Sequence, residues 1–171
     1  MEQFWSEAQL PAQLKHPSII SVFDVGQTPE GVPFYTMEVM ERKNLGDRFR
    51  ELHEASQEWA WFDDGSPGSL GGLVEALAKA AEGVAFAHDN GVVHRDLKPK
   101  NIIVGSHGEV RVADWGIAKV LDGGGDLQTV RTEQGGAGRT TVIGSPSYRA
   151  PEVRKGFAGD ARRDVYALGA T

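Results

Sequence analysis

A chain of 171 residues, 40% hydrophobic and 25% charged, has the composition of a soluble globular protein. Its net charge of −6 and lack of a basic patch count against a nucleic-acid partner, and its lack of cysteine excludes disulfides, thiolate catalysis and Cys-ligated zinc. No apolar run approaches the ~20 residues that span a bilayer, and the opening segment carries Glu2 and Glu7, unlike a signal peptide, so a cytoplasmic segment without membrane contact is expected.

From Glu2 to Leu14 apolar residues recur at helical spacing, with Pro11 awkward inside the pattern because it removes a backbone donor. His16-Pro17 closes that segment. Ile19 to Val25 and Val32 to Met40 are apolar and β-branched around the turn-rich Gly26 to Gly31, which predicts a hairpin. Asn44 to Glu54 reads as a short helix, and Ala55 to Gly68 as an irregular, partly buried insertion. A long helix follows, with Leu70, Leu73, Val74, Leu77, Ala81, Val84 and His88 on one face, Ser69 as its cap and Gly91 as its left-handed stop. Short strands are expected at Val92 to His94, Ile102 to Val104 and Val110 to Ala113, with Gly105 to Gly108 turning the second into the third. Asp122 to Gly138 is Gly-rich and polar, hence expected to be mobile. Asp164 to Thr171 begins an apolar helix. No internal repeat is visible.

The informative stretch is His94-Arg95-Asp96-Leu97-Lys98-Pro99-Lys100-Asn101, followed by Asp114-Trp115-Gly116. A carboxylate at Asp96, in a turn after a strand, can accept a proton from a hydroxyl. Lys98 sets a fixed positive charge beside it, suited to a transferring phosphoryl group. Asn101 and Asp114 offer neutral and anionic oxygens of the kind Mg²⁺ prefers alongside substrate phosphates. Together they describe phosphoryl transfer by positioning and electrostatics, without a covalent enzyme intermediate. An isolated Asp after a strand is usually only a solvated turn residue; the surrounding motif argues otherwise for Asp96 and Asp114. His94 reads as a packed core histidine, and Lys100 and Lys119 as surface charges.

On these residues the chain resembles the eukaryotic-like (Hanks-type) Ser/Thr protein kinases, bacterial ones in particular. His94 to Asn101 resembles the catalytic loop, with Lys98 in the Ser/Thr form. Asp114-Trp115-Gly116 resembles the metal-binding motif with Trp in place of Phe. Ala150-Pro151-Glu152 resembles the end of the activation segment, and Asp164-Val165-Tyr166-Ala167-Leu168-Gly169 the start of the central helix whose Asp anchors the catalytic loop. Four matches in order and at compatible spacing make the resemblance specific.

The resemblance implies an α+β, two-lobed kinase-like fold, truncated, with residues 1–40 an N-lobe remnant and 41–171 a partial C-lobe. It implies ATP and Mg²⁺ (with Mn²⁺ as an alternative) and protein substrates bearing Ser or Thr. Asp96 and Lys98 would be catalytic, and Asn101 and Asp114 would hold metal. Glu38 and Met40 would present backbone groups to adenine, Ile103 would pack beneath it, and Met37 would be the gatekeeper. Glu7 would be the partner of an ATP-binding lysine that this sequence does not contain upstream of it. Arg95 would receive a phosphate in the activation loop, with Thr140 and Thr141 as acceptors, and Ser145 would tie the substrate-binding loop to Asp96 and Lys98. No Gly-rich loop precedes Glu7 and no buried arginine is supplied for Glu152, so the chain alone is expected to fold poorly and to transfer phosphate slowly or not at all. A small-molecule phosphotransferase and a non-catalytic pseudokinase or interaction module are the alternative readings.

Overall fold

The computed structural model describes residues 8–40, 43–54, 66, 68–120, 144–157 and 160–171 in full, and the backbone of residues 2–7. Helix α1 (Glu2–Gln13) contains Pro11 and buries Ala8, Leu10 and Leu14 at its end. Proline here forgoes the bond its N–H would have made to the preceding turn, and the helix ends two residues later; Leu14 N–H still reaches the Leu10 carbonyl at 3.1 Å.

The expected first strand starts later than the sequence suggests. Ile19 forms a parallel bridge with Val112, Ile20 N–H donates to the Val112 carbonyl at 3.0 Å and Val112 N–H to the Ser18 carbonyl at 2.8 Å. These residues therefore spend their backbone groups on a distant segment, and β1 (Val22–Gln27) begins beyond them. It pairs antiparallel with β2 (Pro33–Met37), with a bulge between Val22 and Asp24. Gly31, at φ +81°, makes the turn. Met37 ends β2 three residues short of the expected limit, where the Glu38 side chain is drawn toward another strand.

Helix α2 (Leu45–Glu54) is capped by Asn44, whose Oδ1 accepts from Asp47 N–H at 3.0 Å. Asn44 also ends β3 (Lys43–Asn44), which joins β5 (Ile102–Val104) and β6 (Val110–Val112) in an antiparallel sheet of order β3-β5-β6. A two-stranded sheet pairs β4 (Val92–Val93) with β7 (Lys119–Val120), a pairing not anticipated from sequence. Most of the expected insertion at 55–68 and all of Asp122 to Gly138 lie outside the described residues.

Helix α3 (Leu70–Asp89) is the scaffold. Ser69 Oγ accepts from Gly72 N–H at 3.1 Å, and Gly91 at φ +74° ends it. Its buried stripe keeps Leu73 and Val84 of the expected face, with Leu77 packed against the core, but otherwise runs through Ala76, Ala80, Gly83 and Ala87, while Leu70 and Val74 are 38% and 59% exposed. Small residues turn inward because backbone approaches closely there. A Cβ on Gly83 would lie 3.1 Å from the Ser18 carbonyl oxygen. Helices α4 (Pro151–Arg154) and α5 (Arg162–Gly169) complete the described chain. No helix among the described residues is long and apolar enough to cross a membrane.

Ile19, 1% exposed, belongs to the main core with Leu73, Ile102, Val112 and Trp115. Ile19→Ala should destabilise the protein by roughly 2–5 kcal/mol in urea unfolding. A change within about 0.5 kcal/mol, as at an ordinary surface position, would show that the Ile19 side chain does not belong to the core.

Candidate active site

The site hangs on one buried carboxylate. Asp164, in the first turn of α5 and 1% exposed, accepts from His94 N–H at 2.8 Å and from Arg95 N–H at 2.9 Å, with His88 Nε2 also at 2.9 Å. These bonds fix the loop after β4 from a point 70 residues away in sequence. Burial works against the Asp164 charge, yet the His88 hydrogen bond, the neighbouring His94 and the two amides outweigh it and hold its pKa below the ordinary 3.8. Arg95 is held at φ +76°, a conformation worth about 1–2 kcal/mol of strain for a side-chain-bearing residue. The bond from its own amide to Asp164 keeps it there.

His94 is fully buried and satisfied at both nitrogens: Nδ1 faces Asp96 N–H at 3.3 Å and Nε2 the Ala113 carbonyl at 3.1 Å. Burial lowers its pKa, so it stays neutral. Its ring lies 4.6 Å from that of Trp115, centroid to centroid, tilted by 50°. The Trp115 indole N–H in turn donates to the Val112 carbonyl at 3.1 Å, a bond that a phenylalanine at this position lacks.

On that frame Asp96 is aimed by two other groups. Its Oδ1 accepts from Ser145 N–H at 2.7 Å and its Oδ2 from Lys98 Nζ at 2.5 Å, while Lys98 Nζ also reaches Ser145 Oγ at 3.1 Å. Burial pushes the Asp96 pKa upward, but the hydrogen bonds from Lys98 and Ser145 win and it lies below 3.8. Ser145 is delivered by Gly144, at φ +103°, where a Cβ would sit 2.7 Å from the Arg95 carbonyl oxygen. Only glycine brings the segment this close.

Asn101, 7% exposed, donates through Nδ2 to the Asp96 carbonyl at 2.9 Å and lies 3.2 Å from Asp114 Oδ2. Asp114 is exposed and stands at φ +65°, a left-handed conformation that Asp tolerates better than most residues. Two side chains that carry hard oxygen donors, one neutral and one anionic, thus stand side by side, with the Asn101 Nδ2 toward Asp114; their oxygens are of the kind that suits a small divalent cation completing its shell with phosphate and water. No group of three or more His, Asp or Glu that could hold a metal ion converges among the described residues.

Glu38 and Ile103 are linked by a tether that the sequence did not signal. Arg111 on β6 binds Glu38 in a bidentate pair, Nε to Oε2 at 2.8 Å and Nη2 to Oε1 at 2.9 Å, and its Nη1 reaches the Pro17 carbonyl at 2.5 Å. Arg111 is also the cross-strand partner of Ile103. Glu38 N–H is engaged by the Ser21 carbonyl at 2.9 Å, which leaves its own carbonyl as the backbone group on offer. Met40 is half-buried beyond it, and Met37 is 48% exposed. Glu7 lies on α1, but its side chain is outside the described residues, as are Thr140 and Thr141 altogether.

The chain belongs to the protein kinase domain family, which matches residues 1–171. It is 34% identical to the serine/threonine-protein kinase PknD of Protochlamydia amoebophila over 177 residues, covering 98% of this chain and 18% of that protein. Serine/threonine-protein kinase PknB of Mycobacterium tuberculosis is 34% identical over 170 residues, with 98% and 24% covered. A probable serine/threonine-protein kinase of Corynebacterium efficiens is 36% identical over 171 residues, with 98% and 23% covered. The chain therefore spans no more than about a quarter of the length of these relatives.

Asp164→Ala should cost roughly 3–5 kcal/mol, since it strips two amides and His88 of a buried charged acceptor. Asp164→Asn, which keeps an acceptor oxygen, should cost less. The depressed pKa gives the sign of the pH dependence: the Asp164 contribution is full above the ordinary carboxylate value of 3.8 and fades as acid takes the pH below it. Urea unfolding at pH 7 and pH 3 should therefore show the wild type losing more stability in acid than Asp164→Asn. Equal losses would place the acid sensitivity elsewhere.

Proposed function

We propose that this chain is the catalytic segment of a protein kinase that transfers the γ-phosphate of Mg-ATP to Ser or Thr hydroxyls of proteins. The observation that carries the reading is the bonded set Asp96–Lys98–Ser145, with Asn101 and Asp114 beside it. Depressed below the ordinary value, the Asp96 carboxylate is ionised at neutral pH and orients or deprotonates the attacking hydroxyl. Lys98, already within reach of both Asp96 and Ser145, steadies the phosphoryl group in flight. Asn101 and Asp114 would hold the divalent ion, which when bound neutralises charge on the phosphate oxygens. Mn²⁺ would serve the same oxygen donors.

On this reading the Glu38 carbonyl and the Met40 backbone meet adenine, Ile103 packs under it, and Glu7 awaits a lysine partner. Residues 1–40 belong to the nucleotide-binding lobe and 41–171 to the substrate lobe. A phosphate on Thr140 or Thr141 would engage Arg95. The site lies in a segment that the relatives carry within much longer chains, so substrates and signals belong to the whole protein.

The test is phosphate transfer from radiolabelled ATP by the full-length protein, with acid hydrolysis to identify the phosphorylated residue. Asp96→Asn and Asp114→Asn should each reduce transfer by at least about 100-fold without unfolding the protein, and chelation of divalent ions should abolish it. Near wild-type transfer by Asp96→Asn would overturn the reading. Gly144→Ala should lower kcat by roughly 10- to 100-fold, because the added methyl displaces Ser145 from Asp96. An unchanged kcat would show that this contact does not matter to the reaction. Lys98→Ala removes the stronger of the hydrogen bonds that depress the Asp96 pKa, so the acid limb of its pH–rate profile should move toward neutrality.

A further inference from the structure

Arg111 spends its guanidinium away from the reacting groups. Besides the bidentate pair with Glu38, its Nη1 donates to the Pro17 carbonyl at 2.5 Å and to the Val110 carbonyl at 3.1 Å. The two side chains of the pair are only 20% and 24% exposed. An ion pair withdrawn this far from water adds little to stability, because desolvation offsets much of the attraction. What the two parallel bonds do supply is orientation. They fix the plane of the carboxylate as well as its distance, which a lysine ammonium would not do.

That orientation falls on one particular peptide. Glu38 follows the last residue of β2, and Val39 beyond it is 90% exposed, so the chain leaves the sheet at this point. The Glu38 N–H is held by the Ser21 carbonyl at 2.9 Å and its side chain by Arg111. With amide and side chain both held, the Cα is fixed, and a single backbone torsion is left to aim the Glu38 carbonyl.

Arg111 also fixes what lies opposite. It is the cross-strand partner of Ile103, and directly opposed residues of antiparallel strands stand on the same face with Cβ atoms about 4.5–5.5 Å apart. The Arg111 side chain therefore starts beside Ile103 and ends at Glu38. It spans the distance between an apolar side chain, suited to the face of a flat ring, and a carbonyl, suited to a donor on that ring's edge. An exocyclic amino group is such a donor.

We propose that Arg111 is a positioning residue for base recognition: its fork on Glu38 holds the Glu38 carbonyl toward the 6-amino group of adenine and thereby sets the preference for ATP. The proposal rests on the kinase reading for the place of the nucleotide, and on the Arg111–Glu38–Ile103 geometry for the role of Arg111.

The test uses the full-length protein with Mg²⁺. A fluorescent ATP analogue is displaced by ATP or by purine riboside triphosphate, which lacks only the 6-amino group, and binding is read by anisotropy; kcat and KM for ATP are measured alongside. The wild type should bind ATP about fivefold or more tightly than the deaminated nucleotide. Arg111→Gln should shrink that ratio to within about twofold, with the loss in KM for ATP rather than in kcat. Glu38→Gln, which keeps the carbonyl and breaks the fork, should do the same, and the double variant should be no worse than either single one. The ratio compares two nucleotides on one variant, so a general loss of stability does not imitate the effect. A wild-type ratio in both single variants, or additive losses in the double one, would overturn the proposal with the kinase reading intact. Equal binding of the two nucleotides by the wild type would overturn it as well. An Arg111-dependent preference for ATP without any phosphate transfer would sink the kinase reading and keep the positioning role.

Discussion

Everything at the site depends on the Asp164 carboxylate. One buried charge, supplied by a helix at the far end of the chain, holds two consecutive amides of the loop at His94 and Arg95 and, through them, the left-handed turn that presents Asp96. A neutral loop held by its own turn bonds would leave Asp96 free to swing. Here the backbone beneath it is bonded to the core, so the hydrogen bonds from Lys98 and Ser145 act on a carboxylate whose origin is already fixed. That is positioning of the kind phosphoryl transfer needs, where the protein has little covalent chemistry to do.

Two further locks connect this loop to the rest of the molecule. His94 and Trp115 pack in the core with their rings tilted by 50°, and the Trp115 indole N–H is tied to Val112, so the loop and the Asp114 turn are joined through the core. Val112 is also where the chain after α1 is attached, through Ser18, Ile19 and Ile20. Arg111, its neighbour, binds Glu38 and Pro17. One short strand thus gathers the Asp114 turn, the Glu38 segment and the end of α1 into a single hydrogen-bonded unit.

Much of this was legible in the sequence. The eight residues from His94 to Asn101, the Asp114-Trp115-Gly116 turn and the Asp164 helix carry family chemistry in a fixed order, and the cap at Ser69 and stop at Gly91 follow from local backbone preferences. The buried face of α3 was misread at Leu70 and Val74 because hydrophobic periodicity ranks them above alanine and glycine, whereas the close approach of Ser18 to Gly83 calls for a small residue. The first strand was begun too early because Ile19 and Ile20 look like strand residues to any local rule. Their partners are nearly a hundred positions away.

The sequence by itself determined the family and most of the helices, because those rest on residue chemistry and local spacing. Only the tertiary structure decided that Glu38 is tethered by Arg111 and that His88 shares Asp164 with the loop. Such contacts join residues tens of positions apart, and no periodicity or motif encodes a distance between side chains. The packing that sets it is a property of the folded chain as a whole.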